Sequence, residues 1–287
     1  MFDRILVPTD RSDPARRALA QAADLADRYD ATVTVLHVVD TRELDSDDEV
    51  DEHTETARTE LVAALDDLDI DPTPEAAVRA GIPSETILDY ADEVGIDLIV
   101  MGTHGRTGVR RYLLGSVTEK VVRLSDIPVL SVHPAEVDVG SIPYERILVP
   151  TDGSPGADPA VDCATDIATT YDAALHAVSV VDTGAMAGDV QIGVIIDQLR
   201  EHATDAVESV ADAARDAGVA ETETDVLEGR PFDAIRTYVD EADIDLIVMG
   251  THGRSGLDRY LLGSVAEKTV RTAPVPVLTV RMPASSE

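Results

Sequence analysis

The chain has 287 residues, with 56 Asp and Glu against 23 Lys and Arg and a formal net charge of −33. A field of that sign repels nucleic acid and anionic membrane surfaces, so neither is expected as a partner. A single cysteine, Cys163, excludes an internal disulfide; the opening MFDRILVPTD has no signal-peptide pattern and no apolar run approaches a membrane span, so a cytoplasmic setting is expected.

The predicted elements alternate along the chain. RILVPT, from Arg4, is a short apolar run and predicts a buried strand. Ser12 to Tyr29 has apolar residues at helical spacing, with Ser12 as N-cap and Pro14 in the first turn. ATVTVLHVV (Ala31–Val39) predicts a strand and Thr54 to Leu68 a helix. The acidic stretch DSDDEVDEH (Asp45–His53) reads as a solvated loop. EAAVRAG is a short strand, and Ile82 to Gly95 a helix opened by Pro83 and Ser84 and closed by Gly95. DLIVMG is a strand, Ser116–Ser125 a helix and Ile127–Val132 a strand. Strands apolar on both faces, alternating with helices, imply a parallel sheet covered on both sides.

The pattern then repeats. RILVPTD occurs at Arg4–Asp10 and Arg146–Asp152, an offset of 142, and IDLIVMGTHGR at Ile96–Arg106 and Ile244–Arg254, an offset of 148. The two differ by a six-residue insertion between Asp182 and Gly229. A period this long is a duplicated domain. The expected domains are 1–136 and 144–283, with the seam in HPAEVDVGSIPYE (His133–Glu145). Cys163 falls where helical periodicity buries it, as a small core hydrophobe. The acids punctuate helical patterns throughout rather than forming a tail. Such a surface suits high salt, where screening over ~3 Å at 1 M relieves self-repulsion, and a halophilic source is expected.

In an open parallel sheet, ligands bind beyond the carboxyl ends of the strands where strand order reverses. The first strand ends in Pro8-Thr9-Asp10 (Pro150-Thr151-Asp152), and the fourth in Gly102-Thr103-His104-Gly105 (Gly250-Thr251-His252-Gly253). Each fourth strand is followed by the pattern G-x2-G-x9-G-S, ending in Gly115-Ser116 and Gly263-Ser264. Gly102 and Gly105 allow close backbone approach to a ligand, or form turns. Gly115-Ser116 stands just before a helix, whose free N–H groups favour an anion; Ser116 can cap that helix or bond a phosphate. Asp10 and Asp152 are ligand contacts or helix caps. Arg106 and Arg254 could reach phosphate oxygens or pair with surface acids. Arg110, Arg111 and Arg259 lie in the same loops, with Asp258 opposite Arg110. His104 and His252 read as locally bonded loop histidines, with no second His or Cys beside them for a metal. Neither a P-loop nor a dinucleotide-binding G-x-G-x-x-G is present after the first strand.

On ILVPTD, LHVVD, DLIVMGTHGR and the spaced glycines, present in both halves, the chain resembles the universal stress protein superfamily. The resemblance implies two tandem doubly wound α/β domains of Rossmann-like, adenine nucleotide alpha hydrolase-like type. Each would have a five-stranded parallel sheet of order 3-2-1-4-5, and the two would pair through their last strands, with a homodimer as a further option. It also implies ATP binding, with Mg2+ carried mainly by phosphate oxygens and water. By position, Asp10 would contact the ribose or adenine side and the Val38 backbone the adenine. Gly102, Gly105, Gly115, Ser116 and Val117 would hold ribose and phosphates. The second-half equivalents are Asp152, Val180, Gly250, Gly253, Gly263, Ser264 and Val265. Arg11 stands where the second copy has Gly153, so a cation there could crowd the base or help neutralise phosphate. The function expected is an ATP-binding sensor or regulator in a stress response. The alternatives are a slow ATPase or phosphotransferase, and a nucleotide-free interaction module. No Walker-type lysine supports the former.

Overall fold

A computed structural model describes residues 1–66, 68, 70, 73–103, 114–133, 144–183, 192–251 and 262–282. The chain divides into two compact units, Met1–Ile142 and Pro143–Glu287. The first contains β1 (Arg4–Pro8), α1 (Asp13–Tyr29), β2 (Thr32–Asp40), α2 (Asp47–Asp66), β3 (Glu75–Gly81), α3 (Pro83–Val94), β4 (Leu98–Gly102), α4 (Ser116–Leu124) and β5 (Val129–Val132). The second contains β6 (Arg146–Pro150), α5 (Asp158–Tyr171), β7 (Ala174–Val181), α6 (Ile192–Ala217), β8 (Thr222–Glu228), α7 (Pro231–Glu241), β9 (Leu246–Gly250), α8 (Ser264–Thr272) and β10 (Val277–Val280).

Within the first unit the strands run in the order β3-β2-β1-β4-β5, and within the second β8-β7-β6-β9-β10, with the registered pairs inside each unit parallel. This is the doubly wound order that the family resemblance implies. The central strands carry the core: Ile5, Leu6 and Val7, and likewise Ile147, Leu148 and Val149, have no solvent exposure. They are apolar at consecutive positions because helices cover both faces. Fully buried Ala18 and Ala22 on α1, and Ala160 and Ala164 on α5, let the helices lie close to the sheet. Cys163 lies in this layer. Burial, with Asp166 and Asp162 adding to it, pushes its thiol far above the ordinary range, so it acts as an inert hydrophobe.

Several local signals act as the sequence predicts. Ser12 caps α1 by accepting from the Ala15 N–H at 3.4 Å. Gly95 closes α3 in the left-handed region at φ 67°. The acidic stretch does not. It forms the start of α2, with Asp47, Asp48 and Glu49 in the first turn, rather than a solvated loop. The Ser46 hydroxyl accepts from the Glu49 N–H at 3.3 Å, and the Glu49 carboxylate accepts from the Asp45 N–H at 2.9 Å. Acids beside the positive end of a helix dipole favour the helix they begin.

One polar joint recurs in both units. The Asp97 carboxylate accepts from the N–H groups of Asp3 and Arg4 at 3.0 and 2.9 Å. Asp245 does the same with Glu145 and Arg146, at the same distances. The aspartate in IDLIVMG therefore pins the entrance of the central strand, at the end of the sheet opposite the glycine motif.

Candidate functional site

The crevice follows from how the central strands part. β1 and β4 pair at Ile5–Leu98 and Leu6–Ile99. Beyond that, each turns to its outer neighbour: the Thr9 N–H donates to the Leu36 carbonyl at 2.8 Å, and the Thr103 N–H to the Val132 carbonyl at 3.0 Å. The second unit repeats this. β6 and β9 pair at Ile147–Leu246 and Leu148–Ile247, Thr151 donates to Val178 at 2.8 Å and Thr251 to Val280 at 3.0 Å. A wedge opens between the diverging strands at the position where strand order reverses.

In the first unit the wedge is a cavity of about 330 Å3. It is lined by Pro8, Thr9 and Asp10 from the end of β1, by Val38 from β2, and by Gly102, Gly115, Ser116 and Val117 around β4 and the start of α4. The second unit has a cavity of about 260 Å3 lined by Pro150, Thr151, Asp152, Val180, Gly250, Gly263, Ser264 and Val265. Residues far apart in sequence thus meet in each half. Gly105, Arg106, Gly253 and Arg254 lie outside the described residues, as do His104, His252, Arg110, Arg111, Asp258 and Arg259.

Each aspartate is held at the mouth by a turn. The Asp10 carboxylate accepts from the Ser12 N–H at 3.0 Å, and Thr9 Oγ1 accepts from the Arg11 N–H at 3.0 Å. In the second unit the Asp152 carboxylate accepts from the Ser154 N–H at 3.0 Å and from the Ser154 hydroxyl at 2.6 Å. These are side-chain turns ahead of the helix rather than caps on it.

On the opposite wall, α4 begins at Ser116, and its N-cap position falls at Gly115 without a side-chain cap bond. Ser116 therefore stands in the first turn, with its hydroxyl beside N–H groups that have no carbonyl ahead of them within the helix. The Gly115 N–H donates to the Thr103 carbonyl at 2.7 Å and the Gly263 N–H to the Thr251 carbonyl at 2.8 Å. That bond brings the helix start back to the strand end. Thr118 adds a second tie, donating from its hydroxyl to the Gly102 carbonyl at 2.8 Å.

Gly102 has a packing role besides lining the cavity, and Arg11 points elsewhere. A Cβ on Gly102 would lie 2.7 Å from Pro14 Cβ and 2.8 Å from the Pro14 carbonyl carbon. A side chain on Gly102 is excluded by α1 packing onto it, and the residue also lines the cavity. Arg11 lies outside the described lining of the crevice. Its guanidinium pairs with Glu60 and donates to the Ala57 carbonyl at 3.3 Å, both on α2. Its backbone is left-handed at φ 65°, as Gly153 is at 71°, so the turn itself aims the side chain away.

Sequence reasoning missed the apolar walls. Pro83 and Ile87 from α3, with Leu36 and Met101, face the first cavity; Pro231, Ile235, Val178 and Met249 face the second. In sequence they are indistinguishable from core residues. It also missed His37, which lines the first cavity with Nδ1 on the Thr9 carbonyl at 2.9 Å. Its signal was a polar side chain inside an apolar strand.

With this geometry in place, similarity to known proteins is informative. The model of the universal stress protein family matches residues 1–133 and 143–281. A universal stress protein of Methanocaldococcus jannaschii is 40% identical over 143 residues, covering 49% of this chain and 84% of its own. The crystal structure of a universal stress protein from Archaeoglobus fulgidus DSM 4304 aligns with a TM-score of 0.73 at 25% identity, over 97% of this chain and 98% of its own. A universal stress protein solved in complex with cAMP is 29% identical over 49% of this chain and 98% of its own, with a TM-score of 0.38.

Proposed function

The chain belongs to the universal stress protein family, and from that premise we propose that each half binds one ATP with Mg2+ and that occupancy regulates the protein in a stress response. The observation that supports this is the composition of one cavity. Apolar walls from Leu36, Val38, Pro83, Ile87 and Met101 suit a planar base. Asp10 at the mouth suits ribose hydroxyls. The first turn of α4, with Ser116 and Val117, suits phosphate oxygens. The second cavity offers the same three kinds of surface.

Among the described residues no group of three His, Cys, Asp or Glu side chains is placed to hold a metal ion. Mg2+ would arrive on the phosphates, with water completing its shell. Binding without rapid turnover is the favoured reading. The described lining of the first cavity has only Asp10 and His37 as titratable groups, and that of the second only Asp152. Neither offers a Walker-type lysine, and none occurs in the glycine motif.

We read the net charge of −33 as adaptation to molar salt, so the test is calorimetric titration of ATP·Mg2+ in molar KCl on nucleotide-free protein. Two saturable sites per chain are expected. Gly115→Val places a branched side chain at the phosphate path, and should weaken the first site at least ten-fold, about 1.4 kcal/mol, while sparing the second. No heat and no thermal shift with ATP would overturn the reading.

A further inference from the structure

The turn after the first strand of each half is built alike, but only the first half carries a side chain at its left-handed position. Gly153 takes that conformation at φ 71°, and its N–H donates to Thr151 Oγ1 at 3.1 Å. Arg11 takes it at φ 65° and makes the same bond to Thr9 Oγ1 at 3.0 Å. Glycine enters this region freely, whereas a residue with a Cβ is disfavoured there. The turn itself therefore does not need an arginine. What Arg11 brings is its guanidinium.

That guanidinium reaches α2. Nη1 pairs with the Glu60 carboxylate, and Nη2 donates to the Ala57 carbonyl at 3.3 Å. The arginine side chain is 28% exposed and its Nε is buried. The bond to a helix carbonyl and the partial burial set this tie apart from a solvent-screened surface ion pair. Its anchor points stand at one end of the stripe Ala57, Leu61 and Leu65, the buried residues of α2. In the chain, Arg11 lies between Asp10, which lines the crevice, and Ser12, whose N–H donates to the Asp10 carboxylate at 3.0 Å. One residue thus joins the mouth of the crevice to the packed face of a neighbouring helix.

We propose that Arg11 is a positioning residue for the first crevice: by tying the Thr9–Ser12 turn to α2 it holds Asp10 where nucleotide meets it, so that affinity in the first half depends on the Arg11–Glu60 pair. The proposal rests on the ATP reading above. A carboxylate fixed before the ligand arrives needs no ordering on binding, and that favours affinity. The coupling is reciprocal, so nucleotide held at Asp10 also strengthens the tie to α2. The second half has no such tie from its turn, because Gly153 has no side chain to make one.

The test is made on the full chain in molar KCl, with Glu60→Ala, which removes a side chain outside the crevice lining. Without nucleotide, this variant should speed amide hydrogen exchange at Arg11 and Ser12 about three-fold or more, and leave Gly153 and Ser154 unchanged. ATP·Mg2+ is then titrated into chains carrying Gly263→Val, which leaves the first site to report, or Gly115→Val, which leaves the second. Glu60→Ala should weaken the first site about three-fold or more and spare the second. Arg11→Gly should weaken the first site likewise, and the two changes together should cost no more than Arg11→Gly alone. Unchanged exchange, unchanged first-site affinity or additive losses would overturn the proposal. No ATP binding to the unmodified chain would overturn the nucleotide reading instead. The tie is then decided by exchange alone, faster rates upholding it and unchanged rates overturning it.

Discussion

The two crevices share their backbone-fixing residues and differ in their walls. Asp10, Gly102, Gly115 and Ser116 recur as Asp152, Gly250, Gly263 and Ser264. Leu36, His37 and Thr118 become Val178, Ser179 and Ala266. The second half has the smaller side chains at these positions. Duplication has held constant what positions the chain and has let vary what touches the space between. The turn after the first strand shows the same division. Its left-handed residue is kept in geometry, while its identity passes from Arg11 to Gly153.

Substitutions at three positions test that division, taken from the largest expected effect. Gly102→Val drives a side chain into the backbone of Pro14, a contact with no flexible end to yield. Overpacking of this kind costs about 3 kcal/mol. Urea unfolding should show the first half melting at lower denaturant while the second keeps its midpoint. If both midpoints hold, packing on Pro14 is not what demands the glycine.

A smaller effect is expected at the end of α3. Gly95 has φ 67°, and the equivalent residue after α7 is Asp243 at φ 49°. Gly95→Val should cost roughly 1–2 kcal/mol, because a Cβ there meets nothing closer than Arg4 Nη1 at 3.7 Å and only the backbone is strained. Gly95→Asp should cost distinctly less, since Asp tolerates this region. Equal losses for the two variants would show that the cap conformation is not the cause.

The smallest effect is a difference in pH dependence. His176 on β7 is buried, 3% exposed, and its Nδ1 lies 3.0 Å from the Tyr238 hydroxyl. Thr34 stands at the equivalent place in β2. Burial lowers the His176 pKa below 6.5; Arg146 acts in the same direction, while Glu223, Glu221 and Asp225 oppose it. A folded-state pKa below the unfolded one means that unfolding takes up a proton. The stability is therefore complete above about 6.5 and declines as pH falls below it. The second half should lose stability on acidification through this range, and His176→Thr should remove that part of the slope. An unchanged slope in the variant would assign the pH dependence elsewhere.

Much of the fold was legible because its elements are buried. Strands such as Arg4–Pro8 and Leu98–Gly102 are apolar at every interior position, and Ser12 and Gly95 mark helix ends by chemistry that needs no tertiary context. The start of α2 was not legible because that helix buries only Ala57, Leu61 and Leu65. Its first turns are held by local bonds and charge, which leave no apolar period to read. In the site, the duplicated Asp, Gly and Ser positions were legible by repetition. Ile87 and Met101 were not, since an apolar residue facing a crevice looks the same in sequence as one facing a core. The purpose of Gly102 was also hidden, because its neighbour, Pro14, is 88 residues away in the chain.

The aspartate joint at the entrance of the central strand also bears on the order in which the protein is made. Asp97 reaches back 93 residues to Arg4, and at ~5–20 residues per second of synthesis that interval is roughly 5–19 s. During it the first strand has left the ribosome with one flank still lacking its permanent neighbour. The last strand of the first half, Val129–Val132, is complete before Arg146 opens the second. The duplicated chain can thus complete the strands of its first half before the second copy of RILVP is made, which separates the two copies in time during synthesis.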